Sequence, residues 1–346
     1  MTDTASNTCQ ETPNGIVSRL TRNLRHNLGD LVLKNLEDPD VLEIMLNPDG
    51  RLWIEKFGQG MTCVGYLDSA RGALINNLVA SSQGTTTTVE RPIIEGELPI
   101  DGSRFEGFMP PVVSAPSFTI RKKASKIFTL AEYVESGILP PHCLEIIEEA
   151  IVCKQNIMVV GGTGSGKTTF VNAIIDGIAR LCPSDRLLII EDTAELQSSS
   201  ENVVSLKTSD FVNMQRLVMA TMRYRPDRIL VGEVRDGAAL DLLKSWNTGH
   251  PGGVATVHAN SADGGLKRME RLIAEITEAS MKDLIADCVD LIVFLHRTPS
   301  GRKISEIASV SYLEETGRYQ LSYWLYDKPA IEIATPKREP LLIKTA

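Results

Sequence analysis

Aromatic residues are scarce in this 346-residue chain, at 5%. Few platforms are left on which the bases of a single-stranded nucleic acid could stack. Basic charge is not in excess either. The formal net charge is −8, which argues against a dominant duplex-binding face, since such proteins carry a strongly basic surface. Long hydrophobic runs are missing. No apolar stretch approaches the ~18–20 residues that cross a bilayer, and Leu291–Leu295 has only the length of a buried strand. The opening MTDTASNTCQETPNG is polar and lacks an apolar core of the signal-peptide kind. Any membrane role is therefore expected to be peripheral or borrowed from a partner. No repeat of solenoid length is present. The six cysteines, Cys9, Cys63, Cys143, Cys153, Cys182 and Cys288, are scattered without a C-x-x-C pair. They read as buried free thiols of a reducing compartment rather than as disulfides or a zinc site.

What is present suffices for more than one core: 42% of residues are hydrophobic and 23% charged. The length carries a prior of two domains. Residues 1–14 are polar and aperiodic and read as a disordered tail. Apolar residues Ile16, Val17, Leu20, Leu24 and Leu28 then recur at helical spacing. Between residues 15 and 125 the pattern is that of a small α+β domain. A strand over Val41–Leu46 runs into the turn Asn47-Pro48-Asp49-Gly50 and returns through Leu52–Glu55. A helix is expected over Ser69–Ser82, a loop at Gly84 and Thr85–Thr88, and strands over Ile93–Ile100, Arg104–Met109 and Ser117–Arg121. Residues 126–141, ending in Leu139-Pro140-Pro141, are placed as the linker.

From 142 to about 330 strand and helix alternate. Strands are expected over Ile157–Val160, Leu187–Ile190, Ile229–Val231, Val254–Val257 and Val289–Leu295, and helices over Thr168–Arg180, Phe211–Met222, Ala238–Asn247 and Gly264–Thr277. That alternation predicts an α/β fold with a parallel sheet covered on both faces. Residues 331–346, with Pro336 and Pro340, form a tail.

The segment after the first of these strands fits G-x-x-x-x-G-K-[ST] in full. Gly161, Gly162, Thr163, Gly164, Ser165, Gly166, Lys167 and Thr168, with Thr169 next in the helix, are the expected nucleotide-binding residues. Phosphates need backbone N–H groups pointing inward, and glycine permits that tight wrap without a Cβ clash. The helix N-terminus adds partial positive charge. Lys167 can reach the β and γ phosphates of ATP, and the Thr168 hydroxyl can ligate Mg²⁺.

Hydrolysis asks for more than binding: a group that orients water and a group that helps hold the metal. Two strand ends supply carboxylates where α/β sheets bind ligands. The first is Leu187-Leu188-Ile189-Ile190-Glu191-Asp192-Thr193-Ala194-Glu195. Its Glu191 and Asp192 are candidates for the metal, and Glu195 for the catalytic set. The second is Ile229-Leu230-Val231-Gly232-Glu233, where Gly232 stands in place of the usual strand-end aspartate and Glu233 is the candidate water-activating carboxylate. A glycine-rich loop from Gly249 feeds the strand that ends in His258, a candidate γ-phosphate sensor. His250 is expected to shape that loop. Arg223, Arg225, Arg228 and Arg235 are abundant enough here to be read mostly as surface ion pairs.

Four segments, GGTGSGKTT, IEDTAEL, ILVGEVRD and GHPGGVATVHANSA, resemble in order the Walker A, Asp box, Gly-Glu Walker B and His box of the secretion ATPases. That family serves type IV secretion, type II secretion and type IV pili. The resemblance covers about residues 40–300. Within the family the chain is most similar to the type IV secretion and conjugation branch, and to conjugal transfer ATPases of the TrbB type. It is short, its Asp box reads IEDTAEL rather than in the manner of pilus motors, and it has no four-cysteine module.

The resemblance implies a RecA-like ATPase domain preceded by a PAS-like α+β domain. It also implies homo-hexameric rings and a cytoplasmic location at the inner membrane, held there by membrane components of a secretion machine. Arg104 and Arg121 match positions from which, in relatives, arginines reach the nucleotide across the domain junction. A pilus-retraction or type II secretion motor stays open, as does a nucleotide-gated scaffold with incidental turnover.

Overall fold

The structure, a computed structural model, describes residues 13–56, 59–123, 127–209, 211–298 and 301–327. Helix α1 (Pro13–Glu37) turns at Gly29, whose φ of 69° is a conformation that glycine adopts without steric cost. The next elements are β1 (Val41–Leu46), β2 (Arg51–Lys56), β3 (Met61–Tyr66), α2 (Ser69–Ser82), β4 (Ile93–Glu97), β5 (Arg104–Phe108) and β6 (Ser117–Arg121). The strands form an antiparallel sheet in the order β3-β2-β1-β6-β5-β4.

Strand residues alternate faces, and here the alternation separates core from charge. Ile44, Ile54, Ile94, Phe105, Phe118 and Ile120 pack with Leu24, Leu28, Ile75 and Val79 of the two helices. Their neighbours point the other way. Glu97 stands opposite Arg104, Arg104 opposite Arg121, and Arg121 opposite Glu43. One row of charges thus crosses the helix-free face.

The chain continues through α3 (Leu130–Glu135), α4 (Pro141–Val152), β7 (Ile157–Gly161), α5 (Lys167–Leu181), β8 (Leu187–Glu191), β9 (Val203–Lys207), α6 (Met214–Thr221), β10 (Arg228–Val231), α7 (Ala238–Asn247), β11 (Val254–Val257), α8 (Ala262–Ala274), α9 (Lys282–Cys288), β12 (Leu291–Thr298), β13 (Gly301–Leu313) and β14 (Arg318–Tyr326). The second sheet has the order β14-β13-β12-β7-β11-β10-β8-β9. From β12 to β9 every pairing is parallel, and β13 and β14 extend it as antiparallel strands. Strands β7, β8, β10 and β11 are buried on both sides, which is why they read as largely apolar runs, whereas the edge strand β9 is only partly buried. Ile157, Val159, Leu187 and Ile189 face α4 and α5. Met158, Val160, Ile190, Ile229 and Val231 face α6 to α9.

One charged side chain lies inside this packing. Arg228, at the start of β10, is 1% exposed. Its Nε donates to Asp185 at 2.7 Å, and its Nη atoms donate to Gly252 O at 3.2 Å and Ile151 O at 2.8 Å. It was expected among surface ion pairs; the structure corrects that, because the guanidinium closes the end of the sheet where three segments meet. Removing the guanidinium leaves Asp185, 8% exposed, with Lys154 at 3.1 Å as its remaining ion-pair partner, and takes a charged donor away from the Ile151 and Gly252 carbonyls. Arg228→Met should therefore destabilise the fold by about 3–5 kcal/mol, measured as a lowered urea midpoint at constant m-value.

Several sequence expectations change. Residues 126–141 are not simply a connection: Thr129 and Glu132 form a reciprocal capping box for α3, and Leu130, Tyr133 and Leu139 are buried in the α4–α5 core. Strands β3, β9, β13 and β14 and helix α9 were not anticipated. The helix expected over Phe211–Met222 begins at Met214, after Asn213 accepts from the Arg216 amide, so Phe211 lies outside it. Cysteines are not uniformly buried: Cys63 and Cys153 are exposed, while Cys143 and Cys288 are buried. The tails expected at 1–14 and 331–346 fall almost wholly outside the described residues.

Candidate functional site

Strand β7 ends at Gly161, where a Cβ would sit 2.4 Å from Ser165 Oγ and 2.5 Å from Leu295 O. Only glycine fits the start of the loop. Gly164 and Gly166 have φ of 71° and 95°, which wrap the backbone into a tight loop. Gly166 precedes the first residue of α5, and no side chain caps that helix, so its first N–H groups remain available to an anion. Thr163 and Gly164 are exposed and Lys167 is buried. Lys167 Nζ folds back on the loop, donating to Gly161 O at 2.9 Å and Gly162 O at 3.1 Å. Burial pushes its pKa down to about 8; Arg121 and Arg235 act the same way, and Glu233 and Glu195 oppose them.

The carboxylates arrive from the strands on one flank of β7. Gly232 and Glu233 follow β10, and His258 follows β11. Glu233 Oε1 lies 3.3 Å from His258 Nε2, and Glu233 Oε2 accepts from Arg235 Nη2 at 2.8 Å. His258 Nδ1 is 3.3 Å from Lys167 Nζ. The ammonium is nearly as close to Nε2, at 3.4 Å, so it faces the ring rather than one lone pair, and a neutral imidazole carrying Nε2–H can donate to the carboxylate. Burial and the Lys167 charge hold the imidazole below its ordinary pKa, against the pull of Glu233, which favours this neutral form. Burial acts to raise the Glu233 carboxyl, but the Arg235 hydrogen bond and the charges of Arg235, His258 and Lys167 outweigh it and set it below the usual range. Lys167, His258, Glu233 and Arg235 thus form a continuous chain of contacts. Arg235 is half-exposed and ion-paired, as expected, and it also borders the site; its second nitrogen lies 3.8 Å from Asp192.

The missing strand-end aspartate has a steric reason. A Cβ on Gly232 would stand 2.9 Å from Glu191 Cγ and 3.2 Å from its Oε1. The neighbouring strand β8 fills that space with its own carboxylate. Glu191 is 5% exposed, and its Oε1 accepts from the amides of Glu195 at 3.0 Å and Leu196 at 2.9 Å. Burial still dominates, raising its pKa from 4.5 to about 7 against those two amides. A folded state that holds this proton more tightly than the unfolded chain gains stability below pH 4.5, and that contribution is lost as pH rises through about 7. Glu191→Gln, which resembles the protonated form, should therefore gain on wild type between those limits. Thermal melts of both proteins across the range check this, and a constant difference between them would contradict it.

Glu191, Asp192, Thr193 and Glu195 share a cavity with Thr168, Gly232, Glu233, Arg235 and, from the other sheet, Arg104. The structure therefore brings together most of the expected site residues. Arg121 does not line that cavity; its Nε lies 3.8 Å from Glu43, and it influences Lys167 through its charge. Asp192 is turned partly outward, where it accepts from Thr208 Oγ1 at 2.9 Å.

Asn172 of α5 was missed by the sequence reading. It is 1% exposed, accepts from Gln197 N at 2.9 Å and donates to Glu195 O at 3.4 Å, so it ties the phosphate-loop helix to the acidic segment. No spacing rule signals such a residue; its polarity on an otherwise apolar helix face is the only trace.

No group of three or more His, Cys, Asp or Glu side chains that could hold a metal ion occurs among the described residues. The donor set instead suits a cation held partly by the ligand. The hydroxyls of Thr168 and Thr193 share the cavity with nearby carboxylates, and Mg²⁺ is typically bound by one or two protein oxygens with phosphate and water completing the shell.

The family model described as "Type II/IV secretion system protein" matches residues 85–315. The chain is 52% identical over 303 residues to "Probable conjugal transfer protein TrbB" of Sinorhizobium fredii, covering 88% of this chain and 93% of that one. It is 52% identical over 292 residues to "Conjugal transfer protein TrbB" of Rhizobium radiobacter, covering 84% and 90%. Among solved structures it resembles the Legionella pneumophila ATPase DotB, with a TM-score of 0.59, 18% identity and coverage of 90% and 84%; this likeness supports the RecA-like α/β fold. The chain belongs to the type II/IV secretion system protein family, among the secretion ATPases of its conjugal transfer branch.

Proposed function

We propose that this protein is the ATP-hydrolysing motor of a conjugative or type IV secretion apparatus, working as a homo-hexameric ring that powers pilus assembly or substrate transfer. The observation that carries the reading is the Glu233 carboxylate, kept ionised by Arg235 and joined through His258 to the phosphate-loop Lys167. A binding-only loop has no need of a base poised at that distance from its lysine.

In this reading Gly161–Thr169 hold the phosphates and Glu233 orients the attacking water. His258 loses its Lys167 contact when the lysine turns to the γ-phosphate. Mg²⁺ would be held by Thr168 with Glu191 or Asp192 in its outer shell, and would supply charge neutralisation on the phosphates. Glu195 tunes the geometry of that shell. Arg104 and Arg121 close over the nucleotide from the N-terminal α+β domain of residues 15–125, and their release after hydrolysis lets that domain move against the ATPase domain of 142–330. The protein works in the cytoplasm, docked to inner-membrane components of the machine. No helix among the described residues is long and apolar enough to cross a membrane.

The test is ATP turnover by the purified protein, with mass measured by light scattering in the same samples. Turnover in a ring-sized species supports the motor. Conjugal transfer that survives in a strain carrying a hydrolysis-dead variant would instead make the protein a nucleotide-gated scaffold.

A further inference from the structure

Glu97 is the last residue of β4, on the charged face of the N-terminal sheet. Its Oε1 accepts from Lys207 Nζ at 2.9 Å and from the amide of Ala194 at 3.4 Å. Both partners belong to the other half of the chain. Lys207 ends β9, the edge strand beside β8, and Ala194 lies in the acidic segment that follows β8. The carboxylate of one sheet therefore grips the segment that carries Asp192 and Glu195 on the other. The same acidic segment is also held by Glu191, which accepts the next two amides, those of Glu195 and Leu196, and by Asn172.

The register says what this grip positions. Glu97 pairs directly with Arg104 across β4 and β5, and Arg104 with Arg121 across β5 and β6. Two like charges directly opposite one another on adjacent strands repel. Here they are bracketed by carboxylates at both ends of the row, with Glu43 beside Arg121 and Glu97 beyond Arg104. Such a row suits an anion placed over its centre, and Arg104 already lines the cavity with Thr168 and Glu233.

We infer that Glu97 and Lys207 form a clasp between the two sheets that sets Arg104 and Arg121 over the nucleotide phosphates, making Glu97 a positioning residue for ATP. The inference rests on the motor reading for its ligand. The clasp is half-exposed, with Lys207 at 41% and Glu97 at 25%. A pair of that kind contributes little to folding, so its loss appears in nucleotide affinity rather than in the melting temperature.

The experiment is a double-mutant cycle of Glu97→Gln and Lys207→Met in the full chain, read as the affinity for a fluorescent ATP analogue, the KM for ATP, and the melting temperature. Each single change should weaken nucleotide binding by roughly tenfold, the order expected when one hydrogen bond to a charged group is weakened. The melting temperature should hardly move. The double variant should be no weaker than either single, because both remove one contact, and Lys207→Arg should bind close to wild type. Additive losses in the double variant, or wild-type affinity in both singles, would overturn the clasp. Because affinity is read directly, this outcome does not depend on turnover. The motor reading is judged separately, by whether wild type hydrolyses ATP and Lys167→Ala does not.

Discussion

Lys167→Ala is expected to lower ATP turnover by on the order of 10²–10³-fold or more, the cost of removing a preorganised positive group from where charge develops on the transferred phosphoryl oxygens. The ammonium lies within the site, 8% exposed, and reaches the carbonyls of Gly161 and Gly162 and the His258 ring. Those contacts are weak competitors for a triphosphate, so the lysine can exchange them for the ligand without unfolding anything around it. Its pKa, pushed down to about 8 by burial, still leaves most of it charged at neutral pH, and bound phosphate will raise it further. The substitution should also weaken nucleotide binding, because one full charge is lost. The fold should survive, since the loop conformation rests on Gly161, Gly164 and Gly166 rather than on the lysine. Turnover and fluorescent-nucleotide binding on a sample with a wild-type melting temperature measure this. Retention of more than about a tenth of wild-type turnover would remove Lys167 from the chemistry, given that lost transition-state donors cost at least tenfold more than that.

The phosphate loop was legible because it is local. Its glycines, its lysine and the apolar strand before it are contiguous, and each is dictated by backbone conformation at that point. The central parallel strands, unlike the edge strand β9, were legible for a related reason: burial on both faces leaves runs such as Ile157-Met158-Val159-Val160 without polar interruption. What escaped the sequence depends on register and on distance along the chain. Glu97, Arg104, Arg121 and Glu43 form one row only after three antiparallel pairings are known. Gly232 looks like a missing aspartate until Glu191 is seen filling its place from the next strand. Arg228 and Arg235 were indistinguishable from surface arginines by composition. Burial by three segments sets Arg228 apart, whereas Arg235 is the half-exposed, ion-paired arginine expected, with Glu233 as its partner at 2.8 Å. Strands β13 and β14 were hidden because GRKISEIASVSYL has no apolar run to mark it: its buried stretch Ile304–Ala308 contains Ser305 and Glu306, both 1% exposed. The capping box that opens α3 could have been found, since Thr129-x-x-Glu132 is the pattern that marks a helix start.

Glu233→Gln is expected to separate binding from hydrolysis. Glutamine keeps the size of the side chain and one carbonyl oxygen to accept from Arg235, but it cannot take a proton from water or carry the negative charge that now faces His258 and Lys167. General-base contributions of this kind amount to about 10²–10⁴-fold in rate, so turnover should fall by that order while ATP affinity stays near wild type. Affinity could even rise, because the triphosphate no longer meets a carboxylate beside the loop. The same substitution removes a charge that raises the Lys167 pKa, so the lysine of the variant should titrate lower than in wild type in the absence of nucleotide. That second readout separates two explanations of a slow variant. Lost base chemistry leaves slow turnover at every pH at which the lysine is charged. A lysine that has merely lost its proton would recover turnover as pH is lowered toward 7. A pH–rate profile of Glu233→Gln beside wild type decides between them. Recovery at low pH, or turnover within about tenfold of wild type throughout, would assign Glu233 to holding the charge of Lys167 rather than to activating water.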